Sequence, residues 1–273
     1  MAAGLTQEQV AFFKEYGYIT PLRVLSEQRA GEILDEVEKF ERDTGMKVDS
    51  LELKVHLYFD WFLKLVRGDT VTAIAKDLLG PDILLWATRF WIKRAHDHKF
   101  VGWHQDMAYF QLDPQEMVTL WLALTPATVE NGAMRFYPGS HRHLEEHIAT
   151  YDKNSLLTRG QYVPDVDESK AINAVLRPGE MSIHHGNLLH ASPANDTDGP
   201  RIGIAMMMFP AHVRSTGPRR TATLICGEDR YNYWDHDPEP ACDRDPAILE
   251  LMNATFARYS DRTIEQASKT LAE

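Results

Sequence analysis

Two short segments carry residues whose types and spacing suit metal chemistry: Trp103-His104-Gln105-Asp106, and the run from His184 and His185 through His190-Ala191-Ser192. Side chains of an extended segment alternate between faces, so His104 and Asp106 project from the same one and can reach a single ion. A histidine from a distant strand, with His190 the candidate, completes a set of two imidazoles and one carboxylate. Such a set covers one face of an octahedral Fe(II) and leaves the opposite positions open, as oxygen chemistry requires. The same donors also suit Zn(II) with an open water position. No His-Glu-x-x-His helix occurs, however, and a hydrolase gives no role to Arg201. Arg201 opens a strand-like run beyond His190, where a fixed guanidinium can clamp a carboxylate. His184 and His185 compete with His190 and read as a buried histidine and a turn residue. His96, His98, His141, His143 and His147 read as solvated loop residues.

The elements that must position these groups change character along the chain. Thr6 and Gln9 stand at capping-box spacing before an apolar stripe of Val10, Phe13 and Tyr16, which Gly17 ends. Ser26 starts a second helix with Ala30, Ile33, Leu34, Val37 and Phe40 on one face, and a third runs from Asp69-Thr70 to Gly80-Pro81. The first eighty residues or so therefore read as helical. From Asp82 onward, β-branched and aromatic runs recur at 82–94, 118–125, 134–137, 172–176, 180–184 and 202–209. Turns such as Glu130-Asn-Gly132 and Arg177-Pro-Gly179 separate them. Helices first and strands afterwards predict a β-sandwich or barrel braced by helices, not a doubly wound sheet. The polar stretch from His141 to Ala171 is too long for a plain connection and suits a lid.

At this point the sequence resembles the phytanoyl-CoA dioxygenase family of Fe(II)- and 2-oxoglutarate-dependent oxygenases. The resemblance rests on an ordered series: Phe12-Phe13-Lys-Glu-Tyr-Gly17, Leu79-Gly-Pro-Asp-Ile83, His104-Gln-Asp106, Glu130-Asn-Gly132, Pro138-Gly-Ser-His141, Arg177-Pro-Gly179-Glu180, and His190-Ala-Ser192 with Arg201. It implies a mainly β fold, a double-stranded β-helix or jelly-roll of cupin-like type with N-terminal helices. It also implies one dioxygenase domain over 1–273, divided into helical support (1–81), jelly-roll core (82–225) and a C-terminal extension (226–273).

Carried over residue by residue, the resemblance makes His104, Asp106 and His190 the iron ligands. Arg201 becomes the partner of the 2-oxoglutarate distal carboxylate, with Ser192 donating to the same group. Trp121 either lines that pocket or packs in the core. Lys54 and His56 match a place where polar groups reach the site, Lys54 towards the cosubstrate and His56 towards the substrate, against the alternative of a solvated surface. Tyr109 and Asn131 are further substrate-pocket candidates, and Phe110 joins them. The implied reaction consumes 2-oxoglutarate and dioxygen, releases succinate and CO2, and hydroxylates an unactivated C–H bond. The intact Asp106 argues against halogenation, whereas desaturation or ring closure would use the same ligands. The expected substrate is a small polar metabolite of the amino acid or aminophosphonate type. The alternatives are a fatty-acyl thioester and a jelly-roll that binds without turnover. Lys54, Arg89, Lys93, Arg94 and Arg159 are rim candidates for an anionic substrate, or else ordinary surface charges.

Composition sets the outer bounds. Forty acidic against 29 basic residues give a net charge of −11, a repulsive balance for nucleic acid and anionic membranes. Two cysteines, Cys226 and Cys242, are too few for a disulfide framework and suit a reducing compartment. No signal-like start and no apolar run near the roughly 18 residues of a membrane span occur, so the expectation is a cytoplasmic protein. A small molecule is the expected partner, and oligomeric state has no signature here.

Overall fold

The computed structural model describes residues 4–270. Its first helix, α1 (Gln7–Tyr16), begins as the sequence predicts: the Gln9 amide donates to the Thr6 hydroxyl while the Thr6 amide donates to the Gln9 side chain. Gly17 at φ 82° ends it in the left-handed conformation. Ser26 caps α2 (Glu27–Thr44), which buries Ala30, Ile33, Val37 and Phe40. Two short helices, α3 (Val55–Tyr58) and α4 (Asp60–Val66), precede α5 (Asp69–Leu79).

The strands are β1 (Tyr18–Arg23), β2 (Ile83–Lys93), β3 (Val101–His104), β4 (Leu112–Asp113), β5 (Val118–Ala123), β6 (Met134–Phe136), β7 (Ile172–Ala174), β8 (Glu180–His185), β9 (His190–Ser192), β10 (Arg201–Pro210), β11 (Arg214–Ser215), β12 (Thr221–Cys226) and β13 (Asp235–His236). A large sheet in the order β1-β8-β5-β10-β2-β12-β13 packs on a smaller one in the order β3-β9-β6-β7. This is a double-stranded β-helix with helical support, mainly β in its core. The reading of the first eighty residues as wholly helical is corrected at β1, which pairs with β8 and forms an edge of the large sheet. Pro21 falls where the β1–β8 register shifts, between Ile19 and Leu22 of this edge strand, a place where a residue without an N–H is tolerated.

The large sheet is buried on both faces. On β10 every residue is buried, and alternate residues serve opposite sides: Ile202, Ile204, Met206 and Met208 join the helical core, while Ala205, Met207 and Phe209 enter the space between the sheets. On β5, Leu120 and Leu122 face the helices, and Trp121 and Ala123 face inward. Two-sided burial explains why these strands read as continuous apolar runs rather than as alternation.

The described part of the segment that follows β12 packs on this body through Trp234, Ile248 and Met252. Trp234 packs on Phe209 at 4.7 Å between centroids and donates its indole N–H to the Val213 carbonyl at 2.7 Å, while Tyr231 and Tyr233 stay exposed. The last helix, α7 (Pro246–Thr270), places Ile248 and Met252 in the helical core. No helix among the described residues is long and apolar enough to cross a membrane.

Candidate active site

β3 ends at His104 and β9 begins at His190, and the two residues are antiparallel partners on the small sheet. Asp106 follows at the start of α6 (Met107–Phe110). One ligand atom from each of these three side chains lies within 4.8 Å of the other two. The second ring nitrogens fix the tautomers. His104 Nδ1 lies 3.0 Å from the Gly102 carbonyl and 3.1 Å from that of His190, and His190 Nδ1 lies 2.9 Å from the Leu188 carbonyl. A carbonyl only accepts, so each Nδ1 carries the proton and each Nε2 turns a lone pair towards the cluster. Burial, with His104 and His184 nearby, holds His190 well below the ordinary histidine range, in the neutral form that ligates metal.

The two oxygens of Asp106 have different surroundings. Oδ1 lies 3.5 Å from His104 Nε2 and 3.8 Å from His190 Nε2, whereas Oδ2 accepts from the Thr119 hydroxyl at 2.8 Å and lies 3.4 Å from His184 Nε2. Burial opposes charge on this carboxyl, but the surrounding histidines outweigh it and hold Asp106 well below the usual carboxylate range. Two imidazoles that turn Nε2 inward and one ionised carboxylate are a donor set that fits Fe(II). Gln105, between the ligands, turns the other way. Its side chain donates to the His143 and Asn187 carbonyls, both at 2.6 Å, and accepts from the Glu145 amide at 2.7 Å. Its own amide donates to His147 Nε2 at 2.9 Å, so His147 is a tethered, half-buried residue rather than a solvated one.

Arg201 lies in the same pocket as the three donors, a space of about 460 Å³ also lined by Trp121, Ser192, Thr119 and His184. Arg201 is 2% exposed, its Nη1 donates to the Gly132 carbonyl and to Ser192 Oγ, and its Nε has no partner. Its guanidinium lies over the Trp121 ring at 5.1 Å. Burial pushes its pKa down to about 10. An unpaired guanidinium at this depth fits the carboxylate of a cosubstrate. Two glycines make the arrangement fit: a Cβ on Gly203 would stand 2.0 Å from Trp121, and one on Gly132 would stand 2.2 Å from the Pro193 carbonyl.

A second space of about 480 Å³ adjoins the first at Trp91, Asp106 and Met207. Its walls are largely aromatic, with Trp86, Tyr109, Phe110 and Tyr259 joined by Leu156, Leu157 and Thr158 from the 141–171 stretch. Tyr109 is thus one wall of this second space.

Three expected site residues lie elsewhere. Lys54 is fully buried and pairs with Asp237 at 2.7 Å, its other contacts being the Trp86 and Thr221 carbonyls, so it has no donor left for a cosubstrate. His56 spans the Thr88 and Thr223 hydroxyls at 3.1 and 2.8 Å, inside the protein and away from both spaces. Asn131 accepts from the Thr128 amide and donates to the Pro126 carbonyl, which shapes the turn that presents the Gly132 carbonyl to Arg201. Besides Lys54, two more of the five rim candidates are not surface charges: Lys93 and Arg159 are buried. Lys93 donates to Ser192 Oγ at 2.5 Å beside Arg201, and burial and that arginine push its pKa down to about 6. Thr119 escaped the sequence reading although it lies two residues before Trp121 on one strand, and so on the same face.

Comparison with known proteins agrees with this geometry. The description of the phytanoyl-CoA dioxygenase (PhyH) family matches residues 13–203. The chain is 25% identical to a probable alpha-ketoglutarate-dependent hypophosphite dioxygenase of Stutzerimonas stutzeri, over 85% of this chain and 80% of that protein. It is 23% identical to the ectoine dioxygenase of Bordetella parapertussis, over 76% of each. Among solved structures, the non-haem monooxygenase ThoJ in its apo form superposes with a TM-score of 0.83 at 29% identity, covering 96% of this chain and 99% of that one. With a matching description across most of its length and a buried His-Asp-His donor set, the chain belongs to the phytanoyl-CoA dioxygenase family and is a 2-oxoglutarate-dependent non-haem iron dioxygenase.

Proposed function

We propose that this enzyme hydroxylates an unactivated C–H bond of a small polar metabolite of the amino acid or aminophosphonate type, with release of succinate and CO2. The observation that carries the reading is one buried pocket holding two metal-ready imidazoles and a carboxylate beside a guanidinium that has no acid partner among the described residues. His104, Asp106 and His190 would hold Fe(II), which when bound supplies oxygen activation coupled to decarboxylation of 2-oxoglutarate. Arg201 takes the distal carboxylate of that cosubstrate, Ser192 supports it, and Trp121 walls the space it fills. The Nδ1 hydrogen bonds of both histidines keep Nε2 free, and Thr119 engages Asp106 Oδ2 so that Oδ1 faces the imidazoles. Tyr109 and the other aromatic walls exclude water and hold the substrate carbon near the metal end. Small-molecule substrates in the names of the hypophosphite and ectoine relatives support the size class. The presence of aspartate at position 106 supports hydroxylation over halide transfer.

The test is succinate formation in air with added Fe(II) and 2-oxoglutarate, across amino acids, aminophosphonates and acyl thioesters. An amino acid or aminophosphonate should stimulate turnover, and Asp106→Ala should lower it by more than about 100-fold, beyond the range usual for outer-shell changes. Stimulation by acyl thioesters alone would overturn the substrate class. Full activity in Asp106→Ala would overturn the metal assignment.

A further inference from the structure

Lys54, Lys93, Arg159 and Arg201 are the cations buried among the described residues. Taking a charge out of water costs several kcal/mol unless partners replace the lost hydration, so each of them should be answered. Lys54 has Asp237, and Lys93 has three oxygens of Ser192 and Pro193. Arg201 has the cosubstrate carboxylate in the reading above. Arg159 remains. It is 5% exposed, its Nη2 donates to the Gln161 side-chain oxygen at 2.8 Å, its Nε has no partner, and no described carboxylate pairs with it.

Its position gives the reason a place in the enzyme. Arg159 directly follows Leu156, Leu157 and Thr158, which wall the aromatic chamber beside Asp106. Its guanidinium lies 5.1 Å from the centre of the Tyr109 ring, another wall of the same chamber. A ring face stabilises a cation too weakly to offset full burial. Arg159 thus stands behind the wall at Thr158 and Tyr109, whereas Arg89, which lines the chamber itself, is already satisfied by Glu52 at 2.6 Å. Arg89, Arg159 and Arg220 all act electrostatically on Tyr259, whose hydroxyl burial pushes up to about 12. Asp106 acts on the same hydroxyl in the opposite sense, and Arg89 is offset by Glu52, so Arg159 brings to the chamber a cation that no described carboxylate answers.

We infer that Arg159 is the anion-recognising group of the substrate site, and that the substrate is a small organic acid. Its carboxylate or phosphonate meets Arg159, and its apolar carbons lie along Trp86, Trp91 and Tyr109 towards Asp106. Guanidinium suits this task because its planar fork matches an oxyanion with two parallel hydrogen bonds. The inference rests on the dioxygenase reading of the same site.

The experiment titrates methylphosphonate and propionate into protein saturated with Fe(II) and 2-oxoglutarate, without oxygen. Binding is read from tryptophan fluorescence, because Trp86 and Trp91 line the chamber. Saturating cosubstrate occupies Arg201, so the remaining anion signal reports the chamber. At least one anion should bind wild type more than tenfold tighter than its neutral counterpart, dimethyl methylphosphonate or propionamide. Arg159→Gln should remove that preference, and Arg159→Lys, which keeps the charge without the fork, should retain part of it. The arm that binds, phosphonate or carboxylate, names the acid. An anion that binds no tighter than its neutral counterpart overturns the inference on wild type alone, even if Arg159→Gln does not fold. So does an unchanged preference in both variants. The 2-oxoglutarate affinity and succinate release of the wild type, measured on the same preparation, report separately on the dioxygenase reading.

Discussion

Asp106 presents one oxygen to the two ligand histidines and the other to Thr119 and His184. His184 is 1% exposed and its ring lies 4.4 Å from that of His190, yet neither of its nitrogens makes a hydrogen bond of good geometry. A proton on its Nε2 would steady the outer oxygen of the ligand carboxylate, the usual duty of an outer-shell donor. His184→Phe should therefore weaken Co(II) or Ni(II) binding by roughly 10- to 100-fold, as read by calorimetric titration, with His184→Gln recovering much of the loss. Arg201→Gln belongs to the same scale. Loss of one charge-assisted contact corresponds to about 1.5 to 3 kcal/mol, so the dissociation constant for 2-oxoglutarate should rise roughly 10- to 150-fold while metal affinity holds. Lys54, by contrast, is a stability residue. Asp237→Asn should lower the free energy of urea unfolding by about 3 to 5 kcal/mol, because it leaves a buried ammonium without its counter-charge.

At the level of elements, strand alternation does most of the positioning. His104 and Asp106 fall on one side of their segment and Gln105 on the other, so a single tripeptide both builds the donor set and ties down the 143–147 stretch. Removing that tie with Gln105→Ala should speed hydrogen exchange at the Glu145 amide, its direct donor, and raise the Michaelis constant for the substrate more than it changes turnover. On β10 the same alternation puts Gly203, paired with Ala123, under the ring of Trp121 from the next inward position of β5, where a methyl group has no room. Gly203→Ala should cost about 1 to 3 kcal/mol of stability, visible as a lower Tm, by forcing the indole off its place over Arg201.

These elements differ in how openly the sequence announced them. α1, α2 and α5 carry caps and glycine stops that are local chemistry, and the strand runs from 82 to 209 carry composition. β3 and β9 are only four and three residues long and have no periodicity of their own, so the ligand spacing had to reveal them. β1 hid behind Pro21, whose tolerance depends on being at a sheet edge, a fact that no window of sequence contains. Lys54, His56 and Asn131 were misplaced for a related reason. Each is polar and matches a place where the family resemblance brings side chains to the site, but each is satisfied by partners such as Asp237, Thr223 or Pro126 whose approach is set by the tertiary fold.

Across the whole molecule, burial acts on the histidines together. His56 and His190 are held well below the ordinary range, and His147 and His185 are pushed down to about 4, with burial the leading cause for all four. The folded protein keeps these rings neutral, whereas the unfolded chain takes up protons below about pH 6.5. The unfolded state therefore binds more protons between roughly pH 6.5 and 4, and stability falls as pH falls through that window. Urea unfolding of the metal-free protein should show its midpoint dropping between pH 7 and pH 5, and bound metal should steepen the dependence, since ligation requires the same neutral rings.

Several walls of the aromatic chamber come from parts of the chain remote from the metal donors. Leu156 to Thr158 belong to an irregular stretch and Tyr259 to the last helix, while His104, His190 and Arg201 stand on paired strands at the heart of the sandwich. Chemistry and selectivity are thus separable inheritances in this protein. A lineage, or a laboratory library confined to Leu53, Leu157 and Tyr259, can trade one guest for another while the oxidising apparatus passes on untouched.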